Sequence, residues 1–371
     1  MTISRRLADL RGGVRLAVDG VKGVTRIVEG VHGSVVRIAP PIGNHEQRPL
    51  RGITGLVYRS IHGTTGLVGR ALDVALTGVE RLVTTAAPGT NRVAPGDAAE
   101  RDAIVSALNG VVGDHFQRTG NPLAIDMQVL RRGGDGPLPL LLVHGLCMND
   151  RQWSRGGHDH GKALATSLGY SPIYLRYNTG LHIADNGAAL AALLETTLAS
   201  WPVPVERLTI IGHSMGGLVA RHAAHHALAA GMAWPHRLKR LVSLGTPYHG
   251  AALERGGNWL HRGLGVSPYL APFTRLSGLR SAGITDLRHG AVLPLPPAIA
   301  SYSVAGALGQ ATRGDWRGDG LVSVDSALGH GAKPSQRLGI APSHTFVANG
   351  VGHLDLLASS AVYAKLHKWL A

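Results

Sequence analysis

The sequence predicts an α/β fold built on a mostly parallel sheet, preceded by a helical region of different texture. Three observations lead there. Short apolar runs bounded by Gly, Pro, His or Asn recur after residue 98; helix-length stretches lie between them; and before residue 97 the apolar residues recur at helical spacing instead. Strands alternating with helices imply right-handed crossovers around one parallel sheet.

Taken in order, residues 1–97 carry stripes such as Val14, Val18, Val21, Val24, Ile27, Val28 and Val31, then Ile53, Leu56, Val57, Ile61, Leu67 and Val68. Thr25 to Gly33 resembles Thr54 to Gly63 with one residue of slippage, which suggests two similar helices packed as a hairpin. Glycines inside the stripes cost about 1 kcal/mol each against alanine, so these helices need a partner surface. That surface is expected to be the body of the chain, a second copy in a homo-oligomer, or an anionic membrane. The Pro- and Gly-bearing stretch 87–96 marks the boundary.

Residues 98–371 form the α/β domain, opening with a helix over about 98–115. Leu138–His144, Ile173–Tyr177, Leu208–Gly212, Leu241–Leu244, Tyr302–Ala305 and Thr345–Ala348 are the predicted buried strands. Asn186–Ser200, Leu218–Ala230 and Leu354–Leu370 are the predicted helices. No run is long enough to cross a bilayer, no apolar stretch follows the charged N-terminus as a secretory signal would require, and Cys147 is the single cysteine. A reducing cytoplasm, with membrane association through the stripes, is the expected location.

Gly212-His213-Ser214-Met215-Gly216 is a G-x-S-x-G turn placed between a strand and a helix. That context is what a serine nucleophile needs: a sharp turn that leaves no room for neighbouring side chains and projects the hydroxyl. His144-Gly145 closes an earlier strand, so the Leu146 and Met215 amides are the expected oxyanion donors, with His144 against the substrate. A serine hydroxyl requires a later histidine oriented by a carboxylate. His353 is the chosen base over His330 and His344, and Asp319 the chosen acid over Asp315 and Asp325.

The formal net charge of +14 allows contact with anionic lipid, but the arginines are scattered and aromatics make up only 5%, which speaks against nucleic acid. His158-Asp159-His160 and the trio His222, His225 and His226 are dense in ligand atoms, yet neither has the glutamate of a H-E-x-x-H site, so no metal cofactor is expected.

Together, GHSMGGLVAR at 212–221, HGL at 144–146, LGTPYHG at 244–250, GDGLVSVDSA at 318–327 and GHLD at 352–355 resemble bacterial lipases and esterases of the α/β-hydrolase superfamily, including its GPI-inositol-deacylase-like branch. The resemblance covers about 138–370. It implies Ser214, Asp319 and His353 as a catalytic triad, and a lipid-like or other hydrophobic ester as substrate. It also implies an inserted helical cap at about 251–297 with Trp259, Tyr269 and Phe273 as substrate contacts, and a structural calcium at Asp355. Residues 1–97 have no counterpart in compact lipases of this kind. Acyl transfer, amide hydrolysis, or a membrane role carried by the N-terminal helices are the alternatives.

Overall fold

The structure, a computed structural model, describes residues 8–19, 95–250, 281–310, 318–331 and 333–371 of the 371-residue chain. The chain divides into two compact units, Met1–Ala98 with Thr119–Leu123, and Ala99–Arg118 with Ala124–Ala371. In the first, residues 8–19 form helix α1. Its Gly12 admits the 119–123 turn at close range: Asn121 Nδ2 donates to Gly12 O at 3.1 Å, and a Cβ on Gly12 would meet Leu123 Cγ at 2.5 Å. The stripes and repeat expected over 20–94 lie outside the described residues.

The second unit holds a seven-stranded sheet in the order β1-β3-β2-β4-β5-β6-β7. The strands are β1 (Gln128–Arg131), β2 (Pro139–Val143), β3 (Ser171–Arg176), β4 (Leu208–His213), β5 (Leu238–Leu244), β6 (Ala300–Ala307) and β7 (Thr345–Asn349). Every neighbouring pair is parallel except β1 with β3. The antiparallel β1 is absent from the sequence expectation, because a four-residue edge strand with only partial burial has no aliphatic run to betray it.

Helices α2 (Pro95–Thr119), α3 (His160–Leu168), α4 (Ile183–Ala199), α5 (Met215–Ala229), α6 (Ala282–His289) and α7 (Ser360–Leu370) complete the frame. Because strand side chains alternate, Leu141 and Val143 of β2 join a core with α4 and α5, while Leu140 and Leu142 join a second core with α3 and α7. This two-sided burial is why the strands read as continuous aliphatic runs. Local signals set the ends of α3: the Asp159 carboxylate accepts from Lys162 N at 3.1 Å, and Gly169 closes the helix at φ 72°.

Two helices depart from expectation. α2 is longer than 98–115 and is broken at Val112 (φ −135°, ψ 21°). The last helix starts at Ser360 rather than Leu354, after a separate 3-10 turn over Asp355–Leu357, and Ser359 Oγ caps it by accepting from Val362 N.

Behind β1 and β3, the fully buried Asp150 carboxylate is shared by Arg132 and Arg176, and Asp102 by Arg151 and Arg176. Burial alone would raise the Asp102 carboxyl, but Arg176 and Arg151 outweigh it and hold the group below its usual range.

Candidate active site

The C-terminal ends of β2 and β4 to β7 lie side by side, so the loops that follow them converge. Ser214 leaves β4 at φ 53° and ψ −124°, a conformation that costs on the order of 1–3 kcal/mol for a residue with a side chain. Close approach on both sides enforces it. A Cβ on Gly212 would lie 2.5 Å from Gly217 N, one on Gly216 would lie 2.2 Å from Val143 O, and Ser214 N donates to Leu244 O at 2.8 Å. The residue is partly exposed, whereas its neighbours His213 and Met215 are buried.

Asp319 follows β6 and His353 follows β7. His353 Nδ1 is 2.7 Å from Asp319 Oδ2, and His353 N–H donates to the Asp319 carbonyl at 3.0 Å. The other carboxylate oxygen accepts from Leu321 N at 3.0 Å and Val322 N at 2.8 Å, so the acid is held on both oxygens. A carboxylate only accepts in this geometry, which places the imidazole proton on Nδ1 and leaves a lone pair on Nε2. Both side chains are buried. Gly245, at φ 59° after β5, packs against the pair: a Cβ there would lie 3.0 Å from Asp319 Oδ2 and 3.1 Å from His353 Nδ1.

Next to the elbow, the 144–148 turn approaches so closely that a Cβ on Gly145 would sit 3.0 Å from Ser214 Cβ. Its amides are divided: Cys147 N–H donates to Thr179 Oγ1 and Met148 N–H to Gly145 O. The Leu146 and Met215 amides find no acceptor among the described residues. His144 is fully buried, stacked on Tyr177 at 4.6 Å, with Nδ1 3.0 Å from Gly145 O and Nε2 without a partner among the described residues. Burial pushes its pKa down to about 4. Cys147 is buried with its thiol pushed up to about 12, which removes it as a thiolate nucleophile at neutral pH.

The rival residues lie elsewhere. His330 Nδ1 is 3.9 Å from Asp325, both largely exposed, and His344 lies tilted against Tyr302, ring centroids 4.2 Å apart, just before β7 at the opposite end of the sheet. Asp315, Trp259, Tyr269 and Phe273 fall outside the described residues. The exposed Asp355 carboxylate, implied as a calcium ligand, faces the Arg155 guanidinium at 3.4 Å. His225 Nε2 lies 2.6 Å from Pro294 O, and His158 is bonded to His160. Sequence reasoning passed over His213, although its place beside the nucleophile was signal enough to consider it.

With the positive-φ serine turn after β4 and the paired side chains after β6 and β7, the sheet and its loops have the arrangement of the α/β-hydrolase fold. Within it, residues 135–262 match the family model described as the PGAP1-like alpha/beta domain. The chain is similar to lipase LipV of Mycobacterium tuberculosis, at 36% identity over 107 residues, or 28% of this chain and 37% of that protein. The match thus spans little more than a third of that relative's length. Among solved structures it is similar to the mature Bacillus licheniformis lipase BlEst2 (18% identity, 65% of this chain, 98% of that one, TM-score 0.42). It is also similar to the Pyrococcus furiosus esterase Pf2001 (13% identity, 66% and 92%, TM-score 0.41).

Proposed function

We propose that the protein is a serine ester hydrolase acting on a lipid-like or other hydrophobic ester, with Ser214 as nucleophile, His353 as base and Asp319 as its orienting acid. The observation that carries the reading is the buried 2.7 Å bond between His353 Nδ1 and Asp319 Oδ2, at the same C-terminal end of the sheet as the positive-φ serine.

His353 Nε2 takes the Ser214 proton as Oγ attacks the ester carbonyl, and the Leu146 and Met215 amides hold the oxygen that becomes negative. The imidazolium then protonates the leaving alcohol, giving an acyl-serine. Water, deprotonated by the same nitrogen, releases the acid and restores the hydroxyl. Asp319 keeps the imidazole in the one tautomer that can do this and stabilises its charged form.

The test is hydrolysis of p-nitrophenyl esters from acetate to palmitate by wild type and Ser214→Ala, with fluorophosphonate labelling alongside. A Ser214-dependent rate that rises with chain length is expected; turnover retained in Ser214→Ala would refute the assignment.

A further inference from the structure

Two buried histidines outside the proposed triad grip the loop that carries its base. His213 Nε2 is 3.0 Å from the His353 carbonyl, and His160 Nε2 is 2.9 Å from the Leu356 carbonyl. A carbonyl only accepts, so both nitrogens carry a proton. In His160 this makes Nδ1 the acceptor, and His158 Nε2, 2.8 Å away, donates to it. His213 Nδ1 has no partner among the described residues and faces the oxyanion turn, where a Cβ on Gly145 would lie 3.3 Å from it. The His213 and His353 rings are 4.8 Å apart. His160 lies parallel to Tyr363 of α7, within 7°.

These contacts fall on the segment just before the last helix. In a helix begun at Leu354, the His353 and Leu356 carbonyls would accept from the amides four residues on, at 357 and 360. The two imidazoles donate to those carbonyls, and Leu357 N turns to Leu354 O in a 3-10 turn, while Leu356 N and Ser359 N still reach Gly352 O and Asp355 O.

We propose that His213 and His160 are positioning residues for the reaction: by holding the 353 and 356 carbonyls they fix the loop, and with it the His353 imidazole, toward Ser214. One acts from the strand that carries the nucleophile, the other from the first turn of α3. The histidine pair 158 and 160, dense in ligand atoms, thereby serves as a donor chain and not as a metal site. Both clamping rings are 0% exposed, and burial drives His160 down to about 4 and His213 well below its ordinary value, so both remain neutral donors of fixed tautomer at neutral pH. The inference rests on the triad reading above.

The test uses the full chain with His213→Leu and His160→Leu, which lack the donor, and His213→Gln and His160→Gln, which keep one. Activity on p-nitrophenyl butyrate is expressed per fluorophosphonate-titrated site, and amide hydrogen exchange of 353–357 is followed in parallel. The Leu variants are expected to lose about 10-fold or more in kcat, with KM within about two-fold, while exchange in 353–357 accelerates. The Gln variants are expected to recover to within about three-fold of wild type. Unchanged kcat per titrated site in both Leu variants, or Gln variants as impaired as Leu, overturns the proposal. A wild type neither labelled nor active would instead sink the triad reading. Exchange still decides the clamp in that case, because no acceleration in the Leu variants refutes it.

Discussion

Gly245→Ala inserts one methyl group beside the acid–base pair. At φ 59° the alanine backbone costs about 1–2 kcal/mol by itself. The new Cβ would lie 2.8 Å from Leu356 Cδ1, 3.0 Å from Asp319 Oδ2 and 3.1 Å from His353 Nδ1. The leucine methyl can rotate away; the two polar atoms cannot, since two backbone amides pin the Asp319 carboxylate and the Asp319 carbonyl accepts from His353 N–H. The acid–base pair must therefore give by a few tenths of an ångström against those bonds. Overpacking adds about 1 kcal/mol or more, for a total near 2–4 kcal/mol in urea unfolding. Misplacement of the base should lower kcat about 10- to 100-fold. Gly231→Ala is the control: its φ is 65°, but its Cβ would meet nothing within 4 Å, so it should show the backbone cost and wild-type kcat. A folded Gly245→Ala enzyme with wild-type kcat per titrated site would refute the argument.

Asp319→Asn should leave the fold intact while kcat falls by roughly 10³ to 10⁴, because the amide supports the wrong imidazole tautomer; a loss under ten-fold would argue for another acid. Asp150→Asn removes the charge between Arg132 and Arg176 and should cost about 3 kcal/mol by urea unfolding, with ester hydrolysis per folded molecule unchanged. Stability should also fall with acidification. The unfolded chain protonates His144 and His160 near pH 6.5, whereas the folded protein resists until about 4, so the unfolded state binds more protons in that window. The stabilisation is complete above about pH 6.5 and declines toward pH 4, with a slope of up to about 1.4 kcal/mol per pH unit for each histidine; a flat unfolding free energy from pH 7 to 5 would contradict this.

The sheet was legible because its central strands are buried on both faces and read as aliphatic runs, and the serine turn because its glycines answer to close approaches of backbone. β1 was not, since four edge residues half in solvent leave no period to detect. The start of α7 was misread for a different reason. Leu354 to Leu370 has helical composition, and the 3-10 turn that precedes the helix lies where imidazoles from β4 and α3 donate to the 353 and 356 carbonyls, tertiary contacts that no local pattern encodes. For His213 the position was legible and the role was not. Its neighbour in sequence drew attention to the turn, but its partner lies 140 residues away.

The order of strands across the sheet has a consequence for how the molecule would report on its own assembly. Ser214, Gly245, Asp319 and His353 sit after four consecutive neighbours, β4 to β7, each reached by a separate crossover. Such pairings form late, because loop closure is opposed by entropy before the contacts can compensate. Intermediates lacking β6 or β7 would hold a complete serine elbow and still be silent toward esters. Recovery of turnover during refolding should then follow the slowest structural phase and lag behind the return of helical signal.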